Sequence, residues 1–233
     1  MEPRKLFADE RLGGVCVYCG GPPDTVDHVP PKVLLDDPLP SNLPGVDACS
    51  ACNQGFSLDE EYFACLLECV LSGTADPVGV QREKVRRALA RNPRLASRLE
   101  ASKKTDHEGR LAWQPESERV RKVVLKPARG HAAYELSQPQ LDDPREVACT
   151  PIMAMSASQR VALVSEEPGK LAGWPEIGSR AFYRACGAFP NSTQEGKWIV
   201  VQPGRYRYSV EERGGVIVQV VIGEYLACTV EWE

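Results

Sequence analysis

Apolar positions along the chain follow two different spacings. In "SLDEEYFACLLECVL", from Ser57, the residues Phe63, Leu66, Leu67, Val70 and Leu71 fall at i, i+3, i+4, i+7 and i+8, the spacing of one helical face. Ser57 and Glu60 have capping-box spacing, and acidic residues fill the first turn. The segment "SGTADP" ends this helix. Val85, Ala88 and Leu89 make a short amphipathic stripe, Pro93 breaks it, and Leu95 and Leu99 begin another, so two short helices are expected. Residues 104–118 are polar and read as a loop. Beyond them "RVRKVVLKP", "VACTPIMAM" and "RVALVS" read as strands and "EIGSRAFYRACG" as a helix. The last forty residues read as a meander of four strands, "KWIVVQPG", "RYRYSV", "VIVQVVI" and "YLACTVEW", with turns at "ERGG" and "IGE". Tyr206, Tyr208 and Val210 alternate with Arg205, Arg207 and Ser209, which gives that strand one apolar and one basic face.

Composition narrows this picture. With 42% hydrophobic and 26% charged residues, the 233-residue chain can build a real core in one or two domains. It has no apolar run of about 18 residues to span a membrane. The opening "MEPRKLFADERLGG" has no apolar stretch of signal-peptide length, so a cytoplasmic location is expected. The net charge of −4 hides a segmented distribution. Residues 1–80 carry thirteen acidic and four basic groups, whereas 81–104 carry nine basic (Arg82, Lys84, Arg86, Arg87, Arg91, Arg94, Arg98, Lys103, Lys104) and two acidic.

Nine cysteines, an odd number in a chain without an export signal, point to metal rather than to a disulfide framework. Cys16-Val-Tyr-Cys19 and Cys49-Ser-Ala-Cys52 are two C-x-x-C pairs, and four thiolates in two such knuckles suit a tetrahedral structural zinc. Gly20 and Gly21 allow the tight turn after the first pair. Cys65, Cys69, Cys149, Cys186 and Cys228 are read as packing residues or free thiols. The 29 residues between the knuckles exceed what a zinc ribbon needs, and they contain "DTVDHVPPKV".

Taken together, "CVYCG", "VDHVPPK" and "SNLPGVDACSACN" resemble the zinc-containing branch of the HNH endonucleases, the ββα-metal nucleases, over about residues 13–65. In that branch the knuckles bracket a hairpin and a helix, an Asp-His pair ends the first strand, an Asn-Leu precedes the second knuckle and an Asn follows the last cysteine. Here these are Asp27-His28, Asn42-Leu43 and Asn53. The resemblance implies a magnesium or manganese ion held by Asp27 and Asn53, His28 as general base toward water, and Asn42 orienting the histidine loop. Pro30 and Pro31 would stiffen that loop, and Lys32 is placed to meet a phosphate. Ser57 stands where many members carry a further ligand, which leaves Glu60 or Glu61 to complete the shell.

The expected fold class is α+β: a zinc-stabilised ββα-metal module (1–72), a basic helical segment (73–105) and a mostly antiparallel β-rich domain (106–233). The expected function is metal-dependent hydrolysis of phosphodiester bonds in DNA. Lys32, Arg82, Lys84, Arg86, Arg87 and Arg91, helped by Arg119, Arg121, Lys122 and Lys126, would contact phosphates. The C-terminal half could meet a substrate, a protein partner or a second copy of the chain. Two other classes stay open: a non-catalytic zinc-dependent nucleic-acid-binding module, and an interaction scaffold. His107 and His131 lie outside any such constellation and have no assigned role.

Overall fold

The computed structural model describes residues 14–105, 109, 111–164, 175–187 and 194–233, so His107 lies outside the described residues. The fold is α+β, and contacts divide the chain into two compact units, residues 1–54 with 124–233, and residues 55–123.

The first unit begins with an antiparallel hairpin, β1 (Thr25–His28) and β2 (Gly45–Ala48), followed at once by the short helix α1 (Ser50–Gly55). Asp24 starts that helix: its Oδ1 accepts hydrogen bonds from the Ser50 amide (2.5 Å) and hydroxyl (2.9 Å). The loop 29–44, with a cis Val29–Pro30 bond, is pinned at Asp36. The side-chain amide of Gln202 receives the Asp36 N–H (2.8 Å) and donates to its carbonyl (3.0 Å), and Arg205 Nε lies 3.2 Å from the Asp36 carboxylate.

The rest of this unit is a sheet on a helix. The segment "RVRKVVLKP" does not form a strand; it lies inside α5 (Ser117–Leu136). Over twenty residues the apolar spacing is helical, with Val120, Val123, Val124, Ala128 and Ala132 on it, but Pro127 cuts the window that would reveal this. β5 (Glu146–Pro151) pairs with the last strand, and the remainder of "VACTPIMAM" is a 3₁₀ turn. "RVALVS" also departs from expectation, because residues 157–164 form α6 (Ala157–Val164). Its signal is Ser156-x-x-Gln159, a reciprocal capping box: Gln159 N–H to Ser156 Oγ (3.2 Å) and Ser156 N–H to Gln159 Oε1 (2.8 Å). "EIGSRAFYRACG" contains α7 (Arg180–Ala185), capped by Ser179. β6 (Gln194–Glu195), β7 (Trp198–Gln202), β8 (Tyr206–Glu212), β9 (Val216–Ile222) and β10 (Leu226–Glu231) complete an antiparallel sheet of order β5-β10-β9-β8-β7-β6. The four expected meander strands and their turns are present. The face expected to be basic is not simply solvated: Ser209 and Glu211 are buried, and Val210 is only half-buried. Leu163 of α6 packs there with Trp198, Val221 and Ala227.

The opposite sheet face meets α5. His131 stacks on Tyr208 (ring centroids 3.6 Å apart), and its Nε2 is 3.0 Å from the Tyr206 hydroxyl. Tyr208 donates to Glu135 (2.6 Å), which Arg184 also grips. On the other side of α5, Gly130 lies against Val29, where a Cβ would stand 2.6 Å from Val29 Cγ2. Residues four apart thus define two working faces of one helix, Lys126 and Gly130 toward the hairpin, His131 and Glu135 toward the sheet.

The second unit is helical. α2 (Ser57–Ser72) is buried from Tyr62 to Cys69, broader than the single face expected, and Leu71 is 44% exposed. Its N-cap is Phe56 with no side-chain cap bond, so Ser57, the expected cap, is instead the first helical residue. Gly73, in the left-handed region at φ 69°, closes it. The two short helices are α3 (Glu83–Arg91) and α4 (Pro93–Ser102), and their Val85, Leu89, Leu95 and Leu99 pack with Tyr62, Leu66 and Cys69. Residues 104–118 are not all loop: β3 (Lys103–Thr105) and β4 (Leu111–Trp113) pair, and α5 begins at Ser117.

Candidate functional site

The hairpin positions the candidate residues. Thr25 of β1 pairs with Ala48 of β2 at one end, and His28 pairs with Gly45 at the other, so the knuckles sit at the open end and His28 at the closed end. Four strand residues separate them by about 10 Å. The first knuckle is held by Cys16 N–H to the Gly21 carbonyl (2.7 Å) and Gly20 N–H to the Cys16 carbonyl (2.8 Å), with Gly20 at φ 75°. Val17 N–H bonds to the Asp47 carbonyl (3.0 Å), tying this knuckle to β2. The second knuckle runs from the end of β2 into α1.

All four Sγ atoms of Cys16, Cys19, Cys49 and Cys52 lie within 4.8 Å of one another. Tetrahedral zinc, with Zn–S near 2.3 Å, needs sulfurs about 3.8 Å apart. Cys19 and Cys49 are separated by 3.8 Å. Burial opposes ionisation of Cys16, but backbone hydrogen bonds at Cys49, Tyr18 and Cys19 outweigh it and bring the thiol down to about 7. Cys52 is pushed up, by burial and then by the sulfurs of Cys49 and Cys19. Four clustered thiols cannot all ionise without a cation, and donor type and spacing both fit a structural metal ion such as zinc. Among the described residues no other group of three or more His, Cys, Asp or Glu side chains is arranged for a metal.

Asp27 and His28 part company on the strand. Asp27 is 7% exposed, and its Oδ2 accepts a hydrogen bond from the Tyr18 hydroxyl (2.8 Å) and meets the Lys126 ammonium at 2.8 Å. His28 is half-buried, and its buried Nδ1 has no hydrogen-bond partner among the described residues. Burial first, then the Lys32 charge, lowers the His28 pKa; the Asp27 charge and the Pro44 carbonyl act against this and lose. The neutral form of the ring is therefore favoured. Lys32 is exposed on the next turn.

Asn53, on α1, reaches back to β1, with its Nδ2 3.4 Å from Thr25 Oγ1 and 3.5 Å from the Val26 carbonyl. Among the described residues it bonds to neither Asp27 nor His28. Asn42 is exposed in the turn before β2, with no side-chain hydrogen bond among the described residues; the nearby carbonyl that acts on His28 is that of Pro44.

Several expected phosphate contacts are internal. Lys126 is 2% exposed and committed to Asp27. Arg82 is half-buried beside Glu68 (3.6 Å), and Arg119 is engaged with Asp59 and the Leu58 carbonyl while stacking over Tyr62. Arg86, Arg87, Arg91 and Arg94 are exposed. Lys84, Arg87 and Arg91 line an open depression of about 480 Å³ on α3. Sequence reasoning missed Tyr18, Asp24 and Gly130 altogether and assigned Lys126 to the surface. Recognising the helical period through Pro127 would have placed Lys126 and Gly130 on one face. No helix among the described residues is long and apolar enough to cross a membrane. Comparison with family models, curated proteins and solved structures finds no match for this chain.

Proposed function

We propose that the chain is an HNH-type endonuclease that hydrolyses phosphodiester bonds in DNA, with His28 as the general base. The observation that carries this reading is the place of His28, at the closed end of a hairpin whose open end is anchored by four cysteines, with burial favouring its neutral form. A neutral imidazole takes a proton from water as the water oxygen bonds to phosphorus and the P–O bond to the leaving oxygen breaks, the departing alkoxide taking its proton from solvent; such a base is worth about 10²–10⁴ in rate. Lys32, exposed one turn away, would meet the phosphate. In this reading Cys16, Cys19, Cys49 and Cys52 hold zinc, which supplies fold stability rather than chemistry. Magnesium or manganese does not fit Asp27 as it stands, because a buried ammonium already takes that carboxylate, and no step is assigned to either ion.

The exposed side of α3 is the DNA contact in this reading. Lys84, Arg87 and Arg91 recur at helical spacing around the depression, and Arg86 and Arg94 flank them. A reducing cytoplasm, which keeps such thiols free for metal, is the matching compartment. The Asp27–Lys126 pair favours a second reading, a zinc-stabilised module that binds nucleic acid without cutting it.

Plasmid nicking separates the two. Zinc-loaded wild type and His28→Ala are compared with and without added magnesium or manganese. Nicking that falls at least 100-fold in a folded, zinc-replete His28→Ala protein supports the endonuclease. Equal nicking by the two proteins removes His28 as base. Binding without cleavage of DNA or RNA under every condition transfers the reading to the non-catalytic module.

A further inference from the structure

We infer that Lys126 is the built-in cation of the Asp27 carboxylate, occupying the place a divalent ion would take, so that the hairpin works without magnesium or manganese. The inference rests on the endonuclease reading only for its catalytic consequence; the ion pair stands on geometry alone.

Three observations carry it. Lys126 Nζ lies 2.8 Å from Asp27 Oδ2, with 2% of the lysine and 7% of the aspartate exposed. The same oxygen accepts the Tyr18 hydroxyl at 2.8 Å, and the ammonium sits 5.8 Å from the centre of the Tyr18 ring, so phenol and cation close one side of the carboxylate together. One helical turn beyond Lys126, Gly130 brings the α5 backbone against the hairpin: a Cβ there would stand 2.6 Å from Val29 and 3.4 Å from the Tyr18 hydroxyl. The helix is seated close against the hairpin on this face.

Electrostatics then decides the occupant. A hard divalent cation needs several oxygen ligands, usually including more than one water or carboxylate. Here Oδ2 of Asp27 already takes both the phenol and the ammonium. An entering ion would also bring a second cation against the buried lysine ammonium, and like charges at close range in a buried place repel strongly. Within the proposed nuclease Lys126 is a positioning residue. It balances the Asp27 charge and holds β1 against α5.

The test is a manganese titration of the zinc-loaded full chain, followed by the electron paramagnetic resonance signal of free Mn²⁺. Wild type and Asp27→Asn should give superimposable curves up to millimolar manganese. A stoichiometric micromolar site in wild type that Asp27→Asn abolishes overturns the inference. Lys126→Ala, where it folds, should gain a manganese site that Asp27→Asn/Lys126→Ala lacks. A folded Lys126→Ala protein without that gain shows that the lysine is not what excludes the ion, and the inference fails. Where Lys126→Ala does not fold, the wild-type titration decides. Any nicking activity should change less than threefold when magnesium or manganese is added to buffer freed of loosely held divalent ions, and a 100-fold stimulation would again overturn the inference. If no nucleic acid is cut at all, the endonuclease reading falls, while the titration still settles the place of Lys126.

Discussion

Gly130→Ala sets two opposing effects against each other. Gly130 is interior to α5, where alanine is about 1 kcal/mol better than glycine by helix propensity. Against that, the new Cβ would lie 2.6 Å from Val29 Cγ2 and 3.0 Å from Cγ1, well inside ordinary contact distance. Val29 is 1% exposed, is stiff at χ1 as a β-branched residue, and is followed by Pro30, so it has little room to retreat. Overpacking of this kind typically costs about 1–3 kcal/mol. The balance is a net loss of up to about 2 kcal/mol, read as a lower urea midpoint at unchanged slope in zinc-containing buffer at pH 7. A double-mutant cycle isolates the clash itself. In a Val29→Ala background it is gone, and Gly130→Ala should be neutral or stabilising by about 1 kcal/mol. Wild-type protein stabilised by Gly130→Ala would refute the reasoning, since Val29 would then be yielding and close approach would not be what requires glycine.

Other outcomes follow from the same geometry. Cys49→Ser should lower bound zinc from one equivalent to well below it by native mass spectrometry, and should remove the protection of hairpin amides in hydrogen exchange. His131 is fully buried with a pKa held well below its ordinary value by burial, so only the unfolded chain takes up its proton near pH 6.5. Its contribution to stability is therefore complete above that pH and declines below it, by up to about 1.4 kcal/mol per pH unit; His131→Phe should flatten the slope in urea midpoints between pH 6.5 and 5. Because the His28 pKa is also lowered, kcat/KM for nicking should be level near pH 7 and fall only below the ordinary histidine pKa. For DNA binding, replacing Arg86, Arg91 and Arg94 with alanine should lower the slope of log K against log salt by about 0.9 for each phosphate that is no longer neutralised, and an unchanged slope would remove α3 from the interface.

What could be read from the sequence divides by the range of the interaction. The cysteine pairs were legible because metal ligation constrains residue type and spacing directly, and the four sulfurs do gather. The meander was legible because each hairpin is local and its turns carry glycine: the β8–β9 turn contains Gly214 and Gly215, and the β9–β10 turn begins at Gly223. The basic helices α3 and α4 were legible from their apolar stripes. The capping signals were harder to rank. Ser57-x-x-Glu60 and Ser156-x-x-Gln159 have the same form, yet only the second stands at its helix start, because α1 runs almost directly into α2 and leaves Phe56 at the cap position. Spacing alone does not say which of two identical motifs stands at a true helix start.

The error at α5 had the largest consequence, because period fixes which residues share a face. Reading "RVRKVVLKP" as a strand leaves Arg119, Arg121, Lys122 and Lys126 as surface charges for phosphate. At 100° per residue the neighbours of Lys126 are Gly130 and Ala133, and this face meets Val29, Tyr18 and Asp27. The same rotation sends His131 and Glu135 to the tyrosines of β8, so one helix ties the hairpin to the sheet. Pro127 hid the helix by interrupting its hydrogen-bond ladder at the Val123 carbonyl, and the chain passes between its two compact units at Val123 and Val124. An aspartate that the sequence offers as a metal ligand thus acquires a buried lysine from a partner 99 positions away (Asp27, Lys126), and no local pattern around "VDHVPPK" could reveal it.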